Sequence, residues 1–297
     1  MSDVVTYVVE DRVAWLTIDR AEARNALSKA VRDGLWDGFR RFAGDDAAAV
    51  LILTAAGEKA FCAGGDLKEM SENAMGVPPA DFLPYLQRSV KTDKPVIAAV
   101  NGVAFAGGFL LAQMCDLVIA ADHAKFAITE TKVGRGSPWA APLPWLIGPR
   151  AAMEIMLTGD PITAQRALEL GLVNEVVPAD EVLDHAMALA ECIAANAPLA
   201  LRITKQHAAV RIQRMKAQLD AARAVVRALA VRPRCPELHA IVTSWDGRPS
   251  ALWRKRLARH TRECQRCDRA WTDMVAAEPK LDAYLKRCVA RPAFLSW

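Results

Sequence analysis

Residues Val96 to Glu130, VIAAVNGVAFAGGFLLAQMCDLVIAADHAKFAITE, constrain the fold more than any other stretch of this chain. A β-branched and alanine run, Val96 to Val100, stops at Asn101-Gly102. After a few small residues come Gly107-Gly108, an apolar helical pattern through Met114, and a solitary acid at Glu130. A short continuous apolar run ended by a turn pair reads as a strand buried on both faces. A helix opened by two glycines leaves its first backbone N–H groups uncovered, with the positive end of the helix dipole behind them. Such donors suit a ligand oxygen, so the stretch predicts half of an oxyanion hole with a carboxylate nearby.

A buried strand needs neighbours, and the chain supplies them in alternation. Residues 4–9 (VVTYVV) and 13–18 (VAWLTI) read as the start of a β-hairpin or meander. Ser28 is placed to cap a helix with apolar positions at Val31, Leu35, Phe39 and Phe42. Ala47 to Thr54 (AAAVLILT) is the next buried strand. Strand, helix, strand in this order is the βαβ alternation of an α/β fold with a parallel sheet covered on both faces. Residues 55–65 read as a loop, Phe82 to Thr92 as a helix, Ala151 to Leu157 and Thr163 to Leu170 as short helices, and Asn174 to Val177 as a last strand. From Asp180 to about Ala230 the pattern is helical, broken at Pro198.

Charge separates this body from the end of the chain. Residues 246–297 hold twelve Lys or Arg against six Asp or Glu, so a net charge of +4 overall leaves the first 245 residues at −2. Nothing in that body argues for nucleic acid. No apolar run approaches the roughly 18 to 20 residues of a membrane span, and the N-terminus lacks a basic segment followed by an apolar one. The expectation is a cytoplasmic protein with reduced cysteines, of which Cys62, Cys115 and Cys192 sit in apolar contexts that suit packing as small hydrophobes.

A second glycine pair, Gly64-Gly65, follows Ala63 at another strand-to-helix turn. Two N–H groups from separate loops, at Ala63 and Gly107, can converge on one oxyanion. Each pair taken alone reads equally as a tight turn with close backbone packing.

Five motifs in order carry a resemblance: Lys59 to Leu67 (KAFCAGGDL), Lys94 to Gly102 (KPVIAAVNG), Gly107-Gly108 through Cys115-Asp116, Leu157-Thr158-Gly159-Asp160, and Ala167 to Pro178 (ALELGLVNEVVP). Over roughly residues 4–245 the chain resembles the crotonase, or enoyl-CoA hydratase/isomerase, superfamily. The resemblance implies a spiral of ββα units over residues 1–195, a helical assembly region over 196–245, and a divergent basic helical tail over 246–297. It implies an acyl-CoA thioester as substrate and partner, no separate cofactor, no metal, and a homotrimer or hexamer. The N–H groups of Ala63 and Gly107 would hold the thioester oxygen, and Glu130 would be the acid/base. Arg24 and Ala26, Gly64, Asp66 and Leu67, Leu110 and Trp139 would line the substrate or its CoA portion, with Trp139 walling the acyl group.

One position departs from the pattern. Hydratases of this superfamily use two glutamates, one three residues after the position of Gly107 and one at the position of Glu130; the first is Leu110 here. A leucine cannot orient or deprotonate water. A single glutamate in an apolar setting still moves a proton between carbons of an enolised thioester, so both hydration and double-bond isomerisation stay open, as does a non-catalytic acyl-CoA-binding scaffold. Substitute groups are few: Glu69 and Glu72 follow the oxyanion loop, and His123 lies in a polar turn. In the tail, His260, Cys264 and Cys267 with a distant Cys288 form a single CxxC with one histidine, a weak zinc pattern inside a basic helical segment.

Overall fold

A computed structural model describes residues 4–73, 79, 81–207, 235–244, 256, 257, 259, 260, 263, 264 and 267. It divides into two compact units, residues 1–208 and residues 209–297. No single helix among the described residues is long and apolar enough to cross a membrane.

The first unit is an α/β fold built on a six-stranded sheet. Strands β1 (Val5–Glu10) and β2 (Val13–Ile18) pair antiparallel around the turn at Asp11 and Arg12, both at positive φ. Helix α1 (Lys29–Gly44) then returns the chain to β3 (Val50–Ala55), parallel to β2. Ser28 caps α1 as expected, its hydroxyl accepting from the Val31 N–H at 3.4 Å. The Lys94 ammonium closes the other end, donating to the Phe42 and Asp45 carbonyls.

Beyond β3 the sheet continues through β5 (Val96–Val100) and β7 (Leu117–Ala121) to β10 (Glu175–Val177), all parallel. Every residue of β3 and β5 is buried, which is why their sequences read as unbroken apolar runs. Helix α7 (Val182–Ala194) lies across β2, β3, β5 and β7, and Arg12 donates to the Ala194 carbonyl at its C-terminal end. Helix α8 (Pro198–His207) is held by ion pairs from Arg202 to Asp93 and from Lys205 to Asp116.

A second sheet joins β4 (Ala60–Cys62), β6 (Val103–Phe105), β8 (Lys125–Ala127) and β9 (Ile162–Thr163). The three parallel members follow β3, β5 and β7 directly in the chain, so each long strand is succeeded by a short one, the ββα spiral that the resemblance implies. Two of these spiral turns then enter a helix, α2 (Leu67–Glu72) after β4 and α3 (Gly107–Gln113) after β6. Helices α4 (Leu143–Ile147), α5 (Pro149–Thr158) and α6 (Ala164–Glu169) complete the unit, α6 capped by the Thr163 hydroxyl.

Three expectations are corrected. Residues 55–65 contain β4, and β6 and β8 were not read at all, because three-residue strands are too short to show a period. Phe82 to Thr92 is a set of turns, not a helix: the Tyr85 carbonyl accepts from the Arg88, Ser89 and Val90 N–H groups, Gln87 sits at φ +66°, and Leu86 bridges Val90. Pro84 removes the donor a helix would need there. Cys192 is exposed rather than packed, whereas Cys62 is fully buried and its thiol is pushed up to about 12 by that burial. The helix expected from 208 to about Ala230 lies outside the described residues.

Of the second unit, helix α9 (Pro236–Thr243) and a few residues near 260 are described, with Leu238 and Leu257 fully buried.

Candidate active site

Two loops are laced together beside α3. Asn25, buried at φ +54°, donates to the Ala56 and Ala60 carbonyls and accepts from the Arg20 N–H, which fixes the 20–27 segment. That segment then pairs with the glycine loop after β4: the Ala63 N–H donates to the Arg24 carbonyl at 3.1 Å, and the Leu27 N–H to the Gly64 carbonyl at 2.8 Å. The donor expected at Ala63 is therefore already engaged. Two residues on, the Gly65 N–H has no acceptor among the described residues, and the same is true of Gly107.

Backbone contact brings the two glycine loops together. A Cβ added to Gly108 would stand 2.1 Å from the Cys62 carbonyl oxygen, and one on Gly64 would stand 2.9 Å from the Ala106 Cβ and 3.7 Å from the Gly107 nitrogen. Only residues without side chains allow this approach. Ala106, which precedes α3, is held at φ +50°, ψ −117°, a conformation that favours glycine, and its N–H donates to the Ala127 carbonyl of β8. The peptide it strains is the one carrying the Gly107 N–H. Helix α3 has only seven residues, so the uncovered N–H groups matter more than the macrodipole the sequence suggested.

Glu130 sits in the 3₁₀ turn Thr129–Val133 that follows β8. Trp139 donates from Nε1 to Glu130 Oε1 at 2.7 Å, while Oε2 is buried with no hydrogen-bond partner among the described residues. Burial pushes the carboxyl above its ordinary range, and its backbone and Trp139 hydrogen bonds offset only part of that. The Trp139 ring packs edge-on against Phe109 at 5.9 Å, and the Trp139 carbonyl accepts from Gln113, so α3 and Glu130 share one brace.

A segment that sequence reasoning passed over runs along the same site. Leu83 lies 3.4 Å from where a Gly107 Cβ would be, and Leu27 2.5 Å. Two residues further, Tyr85 has its phenol pushed up, first by burial and also by the Glu130 charge. Leu83 thus borders Gly107 while Tyr85 neighbours Glu130. The signal for this was hidden by reading Phe82 to Thr92 as a helix.

The remaining candidates separate cleanly. Leu110 is 3% exposed and brings no polar atom to the site. Asp66 is committed to structure: it accepts from the Glu69 N–H and pairs with Arg20 at 2.6 Å, which holds its carboxyl below the usual range. Glu69 is taken by α1, accepting from the Lys29 N–H and pairing with Arg32. Glu72 and Leu67 face solvent, Leu67 being 72% exposed. Arg24 is exposed in the left-handed region, and the neighbouring Ala26 is half-buried with its carbonyl accepting from Arg20. His123 is exposed and bonded to the Glu58 carbonyl. Among the described residues considered for the site, Glu130 is left as the acid with a buried, unpartnered carboxylate oxygen.

The family model for enoyl-CoA hydratase/isomerase matches residues 9–230. The chain belongs to that family. It is 41% identical over 209 residues to the (E)-benzylidenesuccinyl-CoA hydratase of Thauera aromatica, covering 69% of this chain and 81% of the relative. Against the carnitinyl-CoA dehydratase of Salmonella arizonae it is 40% identical over 212 residues, covering 69% and 80%. Among solved structures, the enoyl-CoA hydratase of Mycobacterium tuberculosis superposes with a TM-score of 0.65 at 38% identity, over 73% of this chain and 94% of the other. The chain is thus a crotonase-fold member whose named relatives are a hydratase and a dehydratase, and it carries Leu110 on the helix that begins at Gly107.

Proposed function

We propose that the chain binds an enoyl-CoA thioester, polarises its carbonyl with the Gly65 and Gly107 N–H groups, and uses Glu130 as its single acid/base. The observation that carries this reading is the Glu130 carboxyl. One oxygen is anchored by Trp139, the other is buried and unpartnered, and burial raises its affinity for a proton. Such a group suits taking a proton from carbon and returning it. In isomerisation Glu130 removes a C2 proton from a 3-enoyl thioester, the negative charge rests on the thioester oxygen, and the proton returns at C4 as the double bond moves to C2–C3. Leu110 keeps water from being activated on the α3 side.

A second reading is hydration across C2–C3 with Glu130 serving water alone, favoured by the hydratase and dehydratase relatives. Arg24, exposed in the 20–27 loop, would meet a phosphate of the CoA portion. A trimeric or hexameric assembly and a cytoplasmic location belong to the same proposal; exposed Trp145, Leu146, Met153 and Leu157 on α4 and α5 support assembly.

The test is turnover of 3-enoyl- and 2-enoyl-CoA in heavy water, by the wild-type chain and Glu130→Gln. The double bond should migrate with deuterium entering at carbon, and the substitution should lower the rate about 10²- to 10⁴-fold. The wild-type rate should rise with pH as Glu130 loses its proton, with the limb displaced above the ordinary carboxylate range, because the base form is the active one. Net addition of water by the wild type replaces isomerisation with hydration. Thioester binding with neither exchange nor conversion replaces the enzyme with a non-catalytic binder.

A further inference from the structure

The sequence reading expected no metal, and the family match ends at residue 230. Beyond it, in the second unit, the fold gathers Cys235, His260, Cys264 and Cys267 with their ligand atoms all within 4.8 Å of one another. The last three are local: the Cys264 N–H donates to the His260 carbonyl and the Cys267 N–H to the Cys264 carbonyl, so spacings of four and three place them on one side of a helical turn. The fourth comes from 25 residues upstream, a separation that hid it; Cys288, the partner considered from sequence, lies outside the described residues. Cys235 caps α9, its sulfur accepting from the Leu238 N–H at 3.3 Å.

The distances identify the arrangement. Cys235 Sγ lies 3.2 Å from His260 Nε2, 3.7 Å from Cys267 Sγ and 3.9 Å from Cys264 Sγ, and Cys267 Sγ lies 3.4 Å from His260 Nε2. A disulfide requires about 2.05 Å between sulfurs, so these thiols are unjoined. A tetrahedral ion with Zn–S near 2.3 Å and Zn–N near 2.0 Å has edges of about 3.8 Å between sulfurs and about 3.5 Å between sulfur and nitrogen. The sulfur–sulfur edges of 3.7 and 3.9 Å bracket the first value, and the sulfur–nitrogen edges of 3.2 and 3.4 Å fall just short of the second. The other ring nitrogen, Nδ1, faces the Glu237 carboxylate at 3.6 Å, the outer contact that orients a ligating imidazole.

We propose that Cys235, His260, Cys264 and Cys267 bind one zinc ion as a closed structural site. Three soft thiolates and one imidazole select zinc over hard cations, and four protein ligands leave no position for a substrate. The ligands are themselves packed: Cys235 and Cys267 lie buried against Leu238 and Leu257, with Ile241 and Val242 at the edge. Where a structural zinc is held in this way, its binding free energy adds to that of folding. Three thiolates on one dication also leave a net negative centre, matched by the surplus of Lys and Arg in residues 246–297.

The test is metal analysis of the full chain purified without chelator, followed by release with a thiol-modifying mercurial in the presence of a chromogenic chelator. About one zinc per chain is expected, falling about tenfold in the Cys264→Ser/Cys267→Ser double variant and retained in His260→Cys, which keeps four soft ligands. Cobalt(II) exchanged into the wild-type chain should give the intense visible bands of tetrahedral thiolate coordination. Wild-type chain that carries no zinc and gives no such bands with added cobalt overturns the proposal. So does zinc that the double variant keeps, and iron found in place of zinc overturns the choice of metal. None of these readouts uses acyl-CoA turnover.

Discussion

Helices α2 and α3 both start at a glycine pair that comes after a short strand, just ahead of the capping residue of α2 and as the first two residues of α3, yet their first turns are finished differently. At α2 the Asp66 carboxylate accepts from the Glu69 N–H and is itself held by Arg20. At α3 the residue before the first turn is Ala106, which offers no side chain to any N–H and stands at φ +50°. The cap at α2 uses up the donors that a helix start normally lacks partners for. The start of α3 keeps them, and the same loop system leaves Gly65 uncovered just ahead of the capped helix. A glycine pair therefore marks close backbone approach in both places, and the identity of the capping residue decides which helix start remains available to a ligand.

The largest effect should come from pushing the two loops apart. Gly108→Ala puts a Cβ 2.1 Å from the Cys62 carbonyl, and both partners are backbone, so neither can rotate away. A loss of about 3 kcal/mol or more in denaturant unfolding is expected, with thioester turnover abolished in whatever folds. A variant of unchanged stability would mean that the loops are free to separate, and the convergence of Gly65 and Gly107 would lose its basis. Smaller in scale, Asp66→Ala uncaps α2 and frees Arg20. It should cost about 1 to 2 kcal/mol with turnover altered only a few-fold. Because Arg20 holds that carboxyl low, its contribution is present above the unfolded carboxylate range and is lost as pH falls through the depressed folded value. The wild-type and variant stabilities should converge in acid. A drop in rate matching that of Glu130→Gln would show instead that Asp66 belongs to the chemistry.

Much of this was legible because burial on both faces writes itself into sequence. The strands β3 and β5 read as apolar runs, Ser28 announced α1, and motif order announced the spiral. What was illegible depends on contacts distant in the chain. Nothing local to Ala63 shows that its N–H is taken by Arg24, so the free donor was placed two residues early. The turns at 82–92 carry a helix-like spacing of Phe82, Leu83, Leu86 and Val90, but the chain reverses there, Leu86 bridging Val90, and of the four it is Leu83 that borders Gly107. Cys235 joins its cluster only through tertiary structure, 25 positions along the chain from His260.

The finest probe of the contrast between the two helix starts is Ala106→Gly. Three terms of similar size act on stability. Relief of a non-glycine φ of +50° favours the variant by about 1 to 3 kcal/mol. Loss of a methyl packed beside Gly64 opposes it by about 0.8 kcal/mol, and the extra freedom of glycine in the unfolded chain by about 0.4 to 1 kcal/mol. The net change should lie between about 1 kcal/mol of destabilisation and about 2 kcal/mol of stabilisation. Turnover should nevertheless fall, by less than about tenfold, because the Ala106–Gly107 peptide gains freedom and its N–H spends less time aimed at the developing oxyanion. Measured together, an unchanged unfolding midpoint and a reduced kcat would assign the strain at Ala106 to aiming the donor. An unchanged kcat would assign it to packing alone, and the open start of α3 would then owe nothing to its one strained residue.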